Sequence, residues 1–148
     1  MEVDEFLREH NVAAMITVGS DGRPKVAKME PAVVDGRLLS VGHRHKVRTR
    51  RLRRDPRATL YYDAPGPTWL AVEATVEILD TPTTPDEIVG FMRARENRPD
   101  GLLPWHGDNG VEVELTETEF AQTMRDEGCV LYLFHIDKTY GNLPPERG

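Results

Sequence analysis

The sequence predicts a mainly β protein with added helices (α+β), built on a small antiparallel barrel. Short segments rich in β-branched residues follow one another over residues 12–79, separated by turn sequences such as 20–24 and Asp35-Gly36. Residues 68–79 alternate apolar with polar side chains, as a strand with one buried face does. Helix-start patterns at Thr84 and Thr116 then predict two helices before a final apolar strand.

The first half of the chain contains most of the predicted strands. Asp35-Gly36 is a strong hairpin signal, and Asp55-Pro56 ends a short helix because a residue before proline avoids the helical region. The predicted elements are a helix at 3–10, strands at 12–18, 25–34 and 37–42, a helix at 46–54, and strands at 58–63 and 68–79.

The second half is predicted to contain both capped helices. Thr84 as N-cap, Pro85 at the first helical position and Glu87 at the third predict a helix to about Asn97. A second capping box begins at Thr116. The remaining predictions are an irregular, Pro/Gly-rich stretch at 98–110, an extended piece at 111–115, a helix from 116 to about 127 ended by Gly128, a closing strand at 130–136 and a polar tail from Lys138.

Size and composition limit the class of protein. The 148 residues are expected to form a single domain, residues 1–148, with its own hydrophobic core. No apolar run approaches the length that spans a bilayer, so no membrane partner is expected. The first ten residues are acidic and lack the apolar core of a signal peptide, which predicts a cytoplasmic location. The single cysteine, Cys129, excludes an internal disulfide.

The basic run, residues 44–57, is the main functional signal. It holds eight of the 19 Lys and Arg residues and one of the 25 acidic residues, so it carries a formal charge of +7 against −13 for the remainder. An acidic chain that concentrates its cations in one segment is expected to bind an anion there. The alternatives are a phosphate on a small molecule, nucleic acid, or a solvated helix face without a partner.

Nucleic acid is not expected as a partner. Proteins that bind it usually have a basic domain with aromatic side chains among the cations. Here the pI is about 5.4, and the basic run contains no aromatic residue.

The order of these motifs resembles the pyridoxamine 5′-phosphate oxidase-like split β-barrel superfamily, the flavin and deazaflavin oxidoreductases. The resemblance covers residues 5–80 well and 80–128 loosely. It implies a homodimeric split β-barrel of the FMN-binding kind, with a helical insertion at about 84–127 before the last strand. The matching residues are Asp21-Gly22-Arg23-Pro24, Asp35-Gly36-Arg37-Leu38, Leu52-Arg53-Arg54-Asp55-Pro56-Arg57 and Lys138-Thr139-Tyr140-Gly141.

Within the superfamily, the motif from Leu52 to Arg57 is similar to the FDOR-B-type branch, which uses coenzyme F-420, an 8-hydroxy-5-deazaflavin. This likeness implies two cofactor sites in clefts between subunits, with the cofactor phosphate held by basic residues after the third strand. The residues expected to bind the cofactor are Lys46, Arg48, Thr49, Arg51 and Arg54, with His43 on the cofactor loop and Lys28 beside the ring.

The chain departs from the family pattern at the phosphate ligands. The family usually has Lys where this chain has Arg48, and often Asn where it has Arg51. A guanidinium can grip a phosphate in two places, so Arg48 can replace the lysine. The additional arginines suit the polyglutamate tail of the deazaflavin better than the compact FMN. The C-terminal Arg-rich signature of pyridoxamine phosphate oxidases is missing, so that substrate is not expected.

The function implied is hydride transfer from the deazaflavin to an unsaturated or oxidised small molecule. Two alternatives remain open: an FMN-dependent relative and a non-catalytic protein that carries the cofactor. No Ser-His-Asp or Cys-His arrangement is visible, so no catalytic residue is assigned and the cofactor is expected to supply the chemistry. His43 and His45 have a spacing that can bind zinc but no further ligand nearby, so no metal is expected. Trp105 and His106 are candidates for a substrate lid or a dimer contact.

Overall fold

The computed structural model of the chain describes residues 1–107 and 109–146, and all statements on its elements refer to these. Strands make up more of the described chain than helices do, and the helices lie near the N-terminus, after the fourth strand and on either side of a small hairpin. The elements are α1 (Val3–Glu9), β1 (Ala13–Val18), β2 (Pro24–Met29), β3 (Ala32–Val34), β4 (Arg37–His43), α2 (Val47–Arg54), β5 (Arg57–Asp63), β6 (Trp69–Leu79), α3 (Thr84–Glu96), β7 (Leu103–His106), β8 (Glu112–Leu115), α4 (Glu117–Glu127) and β9 (Cys129–Asn142).

Seven strands form one antiparallel sheet in the order β2-β1-β5-β6-β9-β4-β3. Its two edge strands are consecutive in the chain and are separated only by Glu30 and Pro31. Three residue steps reach about 11 Å at most, whereas six strand spacings in a flat sheet need about 29 Å. The sheet therefore curls until its edges approach each other, and the predicted split β-barrel is confirmed.

The curled sheet has a separate hydrophobic core on each side of β4 and β9. The barrel interior is filled by side chains such as Met15, Leu60 and Tyr62, closed at one end by Phe6 of α1. On the other side, Leu39 and Leu131 pack against α3, α4 and the β7–β8 hairpin. The elements between β6 and β9 are thus anchored to β9 and to β4, the strand that leads into α2. That residues 1–148 form a single domain stays a prediction.

Three strand predictions were wrong. The strand predicted at 25–34 is two strands, because Pro31 lacks an N–H for the ladder and holds Glu30 extended. Residues 103–106, predicted as irregular, form β7, which pairs with β8. The closing strand does not end at 136 but continues to Asn142, because β6 is long enough to pair with it along its whole length. Asp108, within the stretch predicted as irregular, lies outside the described residues.

The two capping predictions had different outcomes. The capping box at Thr116 is confirmed, since the Glu119 N–H donates to the Thr116 hydroxyl and the Thr116 N–H to the Glu119 carboxylate. The N-cap of α3 is Thr83 rather than Thr84. The Thr84 hydroxyl is not available to cap the helix, because it accepts the Thr81 N–H at 2.8 Å.

Candidate functional site

Part of the basic run serves the fold. Arg44 makes a two-point ion pair with Asp80, at 2.8 Å from Nε and from Nη2, and Arg53 adds a contact at 3.3 Å. These cations hold the pKa of Asp80 below its usual value, chiefly through the hydrogen bond from Arg44. Asp80 follows β6, so this network ties α2 and the preceding loop to the barrel.

Thr49 lies on the inner side of α2. Its hydroxyl donates to the backbone carbonyl of His43 and is hydrogen-bonded to the hydroxyl of Tyr132 on β9. The side chain is fully buried, so it reaches neither of the two grooves described below. Its contacts fix the position of α2 relative to the end of β4.

The first groove, here called the β4 groove, has a volume of about 330 Å³. It lies between β2, β4, α2, the end of α3 and the β7–β8 hairpin. The residues that line it include Lys28, Ser40, His43, Arg48, Arg95 and Trp105.

Arg48 has an unsatisfied donor at the β4 groove. Its Nε is buried and has no hydrogen-bond partner among residues 1–107 and 109–146. No carboxylate of those residues pairs with Arg48 or with Lys28. A buried donor without a partner costs about 1–3 kcal/mol, so Arg48 is a candidate for a contact with a ligand at this groove.

The second groove, here called the α2 groove, has a volume of about 240 Å³ and lies between α2 and the turn after β1. Its lining cations are Lys25, Arg50, Arg51 and Arg54, and its one lining carboxylate is Asp21, so its formal charge is +3. Only weak contacts occupy two of these arginines, at 3.4 Å from Arg51 to the Thr17 hydroxyl and at 3.3 Å from Arg54 to the Val18 carbonyl. Their guanidinium groups can therefore donate hydrogen bonds to an anionic ligand.

The structure distributes the sequence-predicted residues over these places. Lys28, His43 and Arg48 line the β4 groove, whereas Arg51 and Arg54 line the α2 groove. Lys46 is the half-buried N-cap residue of α2 and lines neither groove.

Sequence reasoning missed Arg95 in the β4 groove. Arg95 lies in the last turn of α3, where a cation is expected simply to favour the helix dipole. No local signal marks it, because only the packing of α3 on the barrel brings it near Glu30 of the β2–β3 link.

The wall of the β4 groove formed by the hairpin is well supported. The Trp105 indole N–H donates to the Glu127 carboxylate at 2.7 Å, and its ring meets Phe120 edge to face at 5.7 Å. The His43 ring lies 6.3 Å from the indole. Arg95 pairs with Glu30 at 3.1 Å and with Glu96 at 2.8 Å.

The described residues form neither a metal-ion cluster nor a helix that could cross a membrane. Within the described ranges, no three His, Cys, Asp or Glu side chains come together as ligands for a metal ion. Among the described helices, none combines the length and the apolar character needed to cross a bilayer.

The sequence model of a known family, Pyridoxamine 5'-phosphate oxidase, matches residues 1–100. The chain belongs to this family. The match spans α1 to α3, and therefore includes both grooves apart from the hairpin wall. Members of the pyridoxamine 5′-phosphate oxidase family are flavin-binding oxidoreductases. No curated protein matches the chain significantly.

Solved structures agree with this family assignment at the level of the fold. A conserved hypothetical protein from Mycobacterium tuberculosis has a TM-score of 0.70 at 21% identity, covering 93% of this chain and 79% of its own. An F420 reductase has a TM-score of 0.64 at 19% identity, covering 95% and 98%. A protein from Listeria innocua described as a pyridoxamine 5′-phosphate oxidase has a TM-score of 0.61 at 14% identity, covering 95% and 98%. At these identities the similarity establishes the fold alone.

Proposed function

We propose that the protein is an oxidoreductase that uses coenzyme F-420 to transfer hydride to an unsaturated or oxidised small molecule. The family supports a flavin-type cofactor, and one structural neighbour is an F420 reductase. The observation that carries the proposal is Arg48, which lines the β4 groove together with Lys28 and whose buried Nε has no partner among the described residues. This donor fits the phosphate of such a cofactor.

Each cofactor-binding residue has a distinct proposed role. Arg48 holds the phosphate, since a guanidinium can donate to two phosphate oxygens. Lys28 and His43 line the same groove and contact the ring system. Thr49 is a positioning residue, because its hydroxyl is used inside the protein to hold α2. Lys46, at the start of α2, adds positive charge on the phosphate side.

The proposed chemistry makes few demands on the side chains. A bound deazaflavin in its reduced form supplies hydride, so the protein needs no nucleophile of its own. Its residues bind and orient the two reactants and keep them close together.

The α2 groove favours the deazaflavin over FMN. Its formal charge of +3 lies on the same helix as Arg48 and suits a chain of carboxylates. We propose that Arg51 and Arg54 bind the polyglutamate tail there. FMN has no such tail and would leave this groove without a ligand, so an FMN-dependent relative is the alternative.

A homodimer with cofactor sites at the subunit interface is proposed from the outer face of the sheet. Strand register puts Val26, Tyr61 and Tyr140 on the same face as Lys28. Their exposed fractions are 69%, 39% and 46%, unusually high for large apolar side chains on one face of a sheet. A second copy on this face would also cover Lys28. Sedimentation tests this assembly, and a monomeric protein that still binds the cofactor would contradict it.

The deciding experiment is a fluorescence titration with oxidised coenzyme F-420 and with FMN, side by side. The protein is expected to prefer the deazaflavin. Arg48→Ala should weaken its binding by about 10–100-fold, the value of a hydrogen bond to a charged group. Arg37→Ala is the matched control, because Arg37 is exposed at the far end of β4, and it should change binding less than about twofold.

The other outcomes are equally informative. Preference for FMN would assign the protein to the FMN-dependent alternative. Binding of neither cofactor, or an Arg48→Ala protein that binds as the unaltered one does, would contradict the proposed site. A non-catalytic carrier would bind the reduced deazaflavin but fail to oxidise it with any acceptor.

A further inference from the structure

We infer that Trp105 is a specificity-determining wall of the β4 groove. Its indole face receives a flat, uncharged conjugated ring of the hydride acceptor, and the carboxylates around it disfavour acceptors that carry an anionic group. This inference rests on the proposed function and names the class of acceptor.

The indole is held in place before any ligand binds. Its N–H donates to Glu127 of α4 at 2.7 Å, and the Phe120 ring meets it edge to face with an angle of 82° between the ring planes. Both contacts come from one helix, which packs against β9. A side chain fixed in this way loses little freedom on binding, which favours affinity.

The space beside Trp105 limits the acceptor to a small ring system, because the cofactor ring shares the same groove. The β4 groove measures about 330 Å³, near the lower end of the roughly 300–1,000 Å³ of ligand pockets. Trp105 lines it with its ring centre 6.3 Å from that of His43, which the proposed function assigns to the cofactor, so a ring on the indole would lie next to the cofactor. Aromatic walls attract flat rings through stacking and apolar contact.

The lining cation contributed by α3 is already paired. Arg95 lies between Glu30, at 3.1 Å, and Glu96, at 2.8 Å, so its charge is more than compensated. Glu127 holds the indole, and no cation pairs with it among the described residues. An acceptor with a carboxylate would therefore find no unpaired cation among these groups, and Glu30 and Glu127 would disfavour it.

The lining cations without an ionic partner belong to β2 and α2. Lys28 and Arg48 are the lining cations without an ionic partner in the described chain, and the proposed function assigns both to the cofactor. His106 lies 3.7 Å from Glu112, and its charge, when protonated, is matched by that carboxylate. The lining thus consists of unpaired cations, which the cofactor engages, and of Arg95 and Trp105, whose carboxylate partners disfavour an anionic acceptor.

The wall is a feature of this chain rather than of the family match. The match ends at residue 100, whereas Trp105 lies on β7 and its supports lie on α4. Acceptor choice is therefore expected to depend on residues outside the part of the chain that the family model matches.

The test uses tryptophan fluorescence, because the chain has only two tryptophans. Trp69→Phe leaves Trp105 as the one fluorophore, and Trp105→Phe, which leaves Trp69, is the matched control. Each protein is titrated with naphthoquinone and with carboxylated naphthoquinone, with and without saturating oxidised coenzyme F-420. Naphthoquinone is expected to quench Trp105 saturably and about tenfold more tightly than its carboxylated analogue.

Three results would overturn the inference. They are equal affinity for the two quinones, equal quenching of the control protein, and no saturable quenching of Trp105 with or without cofactor. Glu30→Gln supplies an independent check of the charge argument. This substitution removes one carboxylate that lines the β4 groove. It should reduce the ratio between the affinities for the two quinones by about threefold or more.

A kinetic comparison separates failure of this inference from failure of the proposed function. Trp105→Leu should raise the KM for naphthoquinone about tenfold and leave the Kd of coenzyme F-420 within about twofold. A changed cofactor Kd with an unchanged KM would mean that Trp105 contacts the cofactor, not the acceptor. If the protein does not bind coenzyme F-420, the proposed function fails, while the fluorescence titration without cofactor still tests the wall.

Discussion

The hydroxyl groups of Thr49 and Tyr132 are hydrogen-bonded to each other in the protein interior. The Thr49 hydroxyl has one hydrogen, which it donates to the His43 carbonyl, so Tyr132 is the donor in the bond between the two side chains. This relay joins β9, α2 and the end of β4. Arg48 precedes Thr49 on α2, so the relay also holds the backbone from which the Arg48 side chain extends.

The two ends of this relay are expected to differ in their contribution to stability. Thr49→Val leaves the buried Tyr132 hydroxyl without its acceptor, which should lower the free energy of unfolding by about 2–3 kcal/mol. Tyr132→Phe removes one bond but leaves Thr49 paired with His43, and should cost about 1 kcal/mol. Urea denaturation measures both, with Tyr61→Phe on the sheet surface as the control. A larger loss in Tyr132→Phe than in Thr49→Val would contradict the relay.

Gly42 is expected to tolerate no side chain. A Cβ at this position would lie 2.3 Å from the Tyr132 ring, which the bond to Thr49 prevents from moving away. Gly42→Ala should destabilise the protein by about 1–3 kcal/mol through overpacking. Gly90 on α3 is the matched control, since a Cβ there meets no atom within 4 Å. Gly90→Ala should stabilise the protein by about 0.5–1 kcal/mol. Thermal unfolding that ranks the two variants the other way would exclude this packing.

The α2 groove is expected to sense the length of the cofactor tail. Replacing both Arg51 and Arg54 by Ala should weaken binding of polyglutamylated coenzyme F-420 about tenfold. A form of the cofactor without the glutamates should lose much less, and added salt should reduce the difference because it screens charge. Arg57→Ala is the control, since Arg57 belongs to the basic run but pairs with Asp55 at 2.8 Å. Equal losses for both cofactor forms would remove the tail from this groove.

Asp80 is expected to make the stability of the protein depend on acid pH. Its pKa in the folded protein lies below the usual 3.8, so its ion pairs stabilise the fold above that value. The contribution disappears as the pH falls through the lowered pKa, when the carboxylate takes up a proton. Asp80→Asn should cost about 1 kcal/mol at neutral pH, because its arginine partners are nearly half exposed.

Urea denaturation at neutral pH and near pH 3 measures this dependence. The difference between Asp80→Asn and the unaltered protein should shrink at the lower pH. Asp4→Asn serves as the control, because the Asp4–Arg8 pair is exposed on both sides, at 69% and 56%. A difference that stays the same at both pH values would show that Asp80 acts through packing rather than charge.

Several elements follow from local sequence alone. The Asp35-Gly36 turn forms because both residues adopt positive φ, which asparagine, aspartate and glycine tolerate best. The helix α4 begins at its capping box because both partners lie within three residues of each other. Period-two alternation likewise predicted β6.

Other features depended on contacts between distant parts of the chain. Residues 103–106 become a strand only because β8 pairs with them, and Thr49 turns inward only because Tyr132 lies beneath α2. The basic run itself cannot indicate which of its arginines are free, since Asp80, which engages Arg44 and Arg53, is a residue of another element.

The sequence by itself therefore determined the fold class, the family and the segment that carries the positive charge, because these depend on spacing and turn chemistry within short stretches. Only the tertiary structure decided how those charges divide between two grooves and which aromatic residue forms the wall of one of them. The physical reason is that a groove is made by side chains from separate elements, here β2, β4, α2, α3 and β7, whose packing no local pattern encodes.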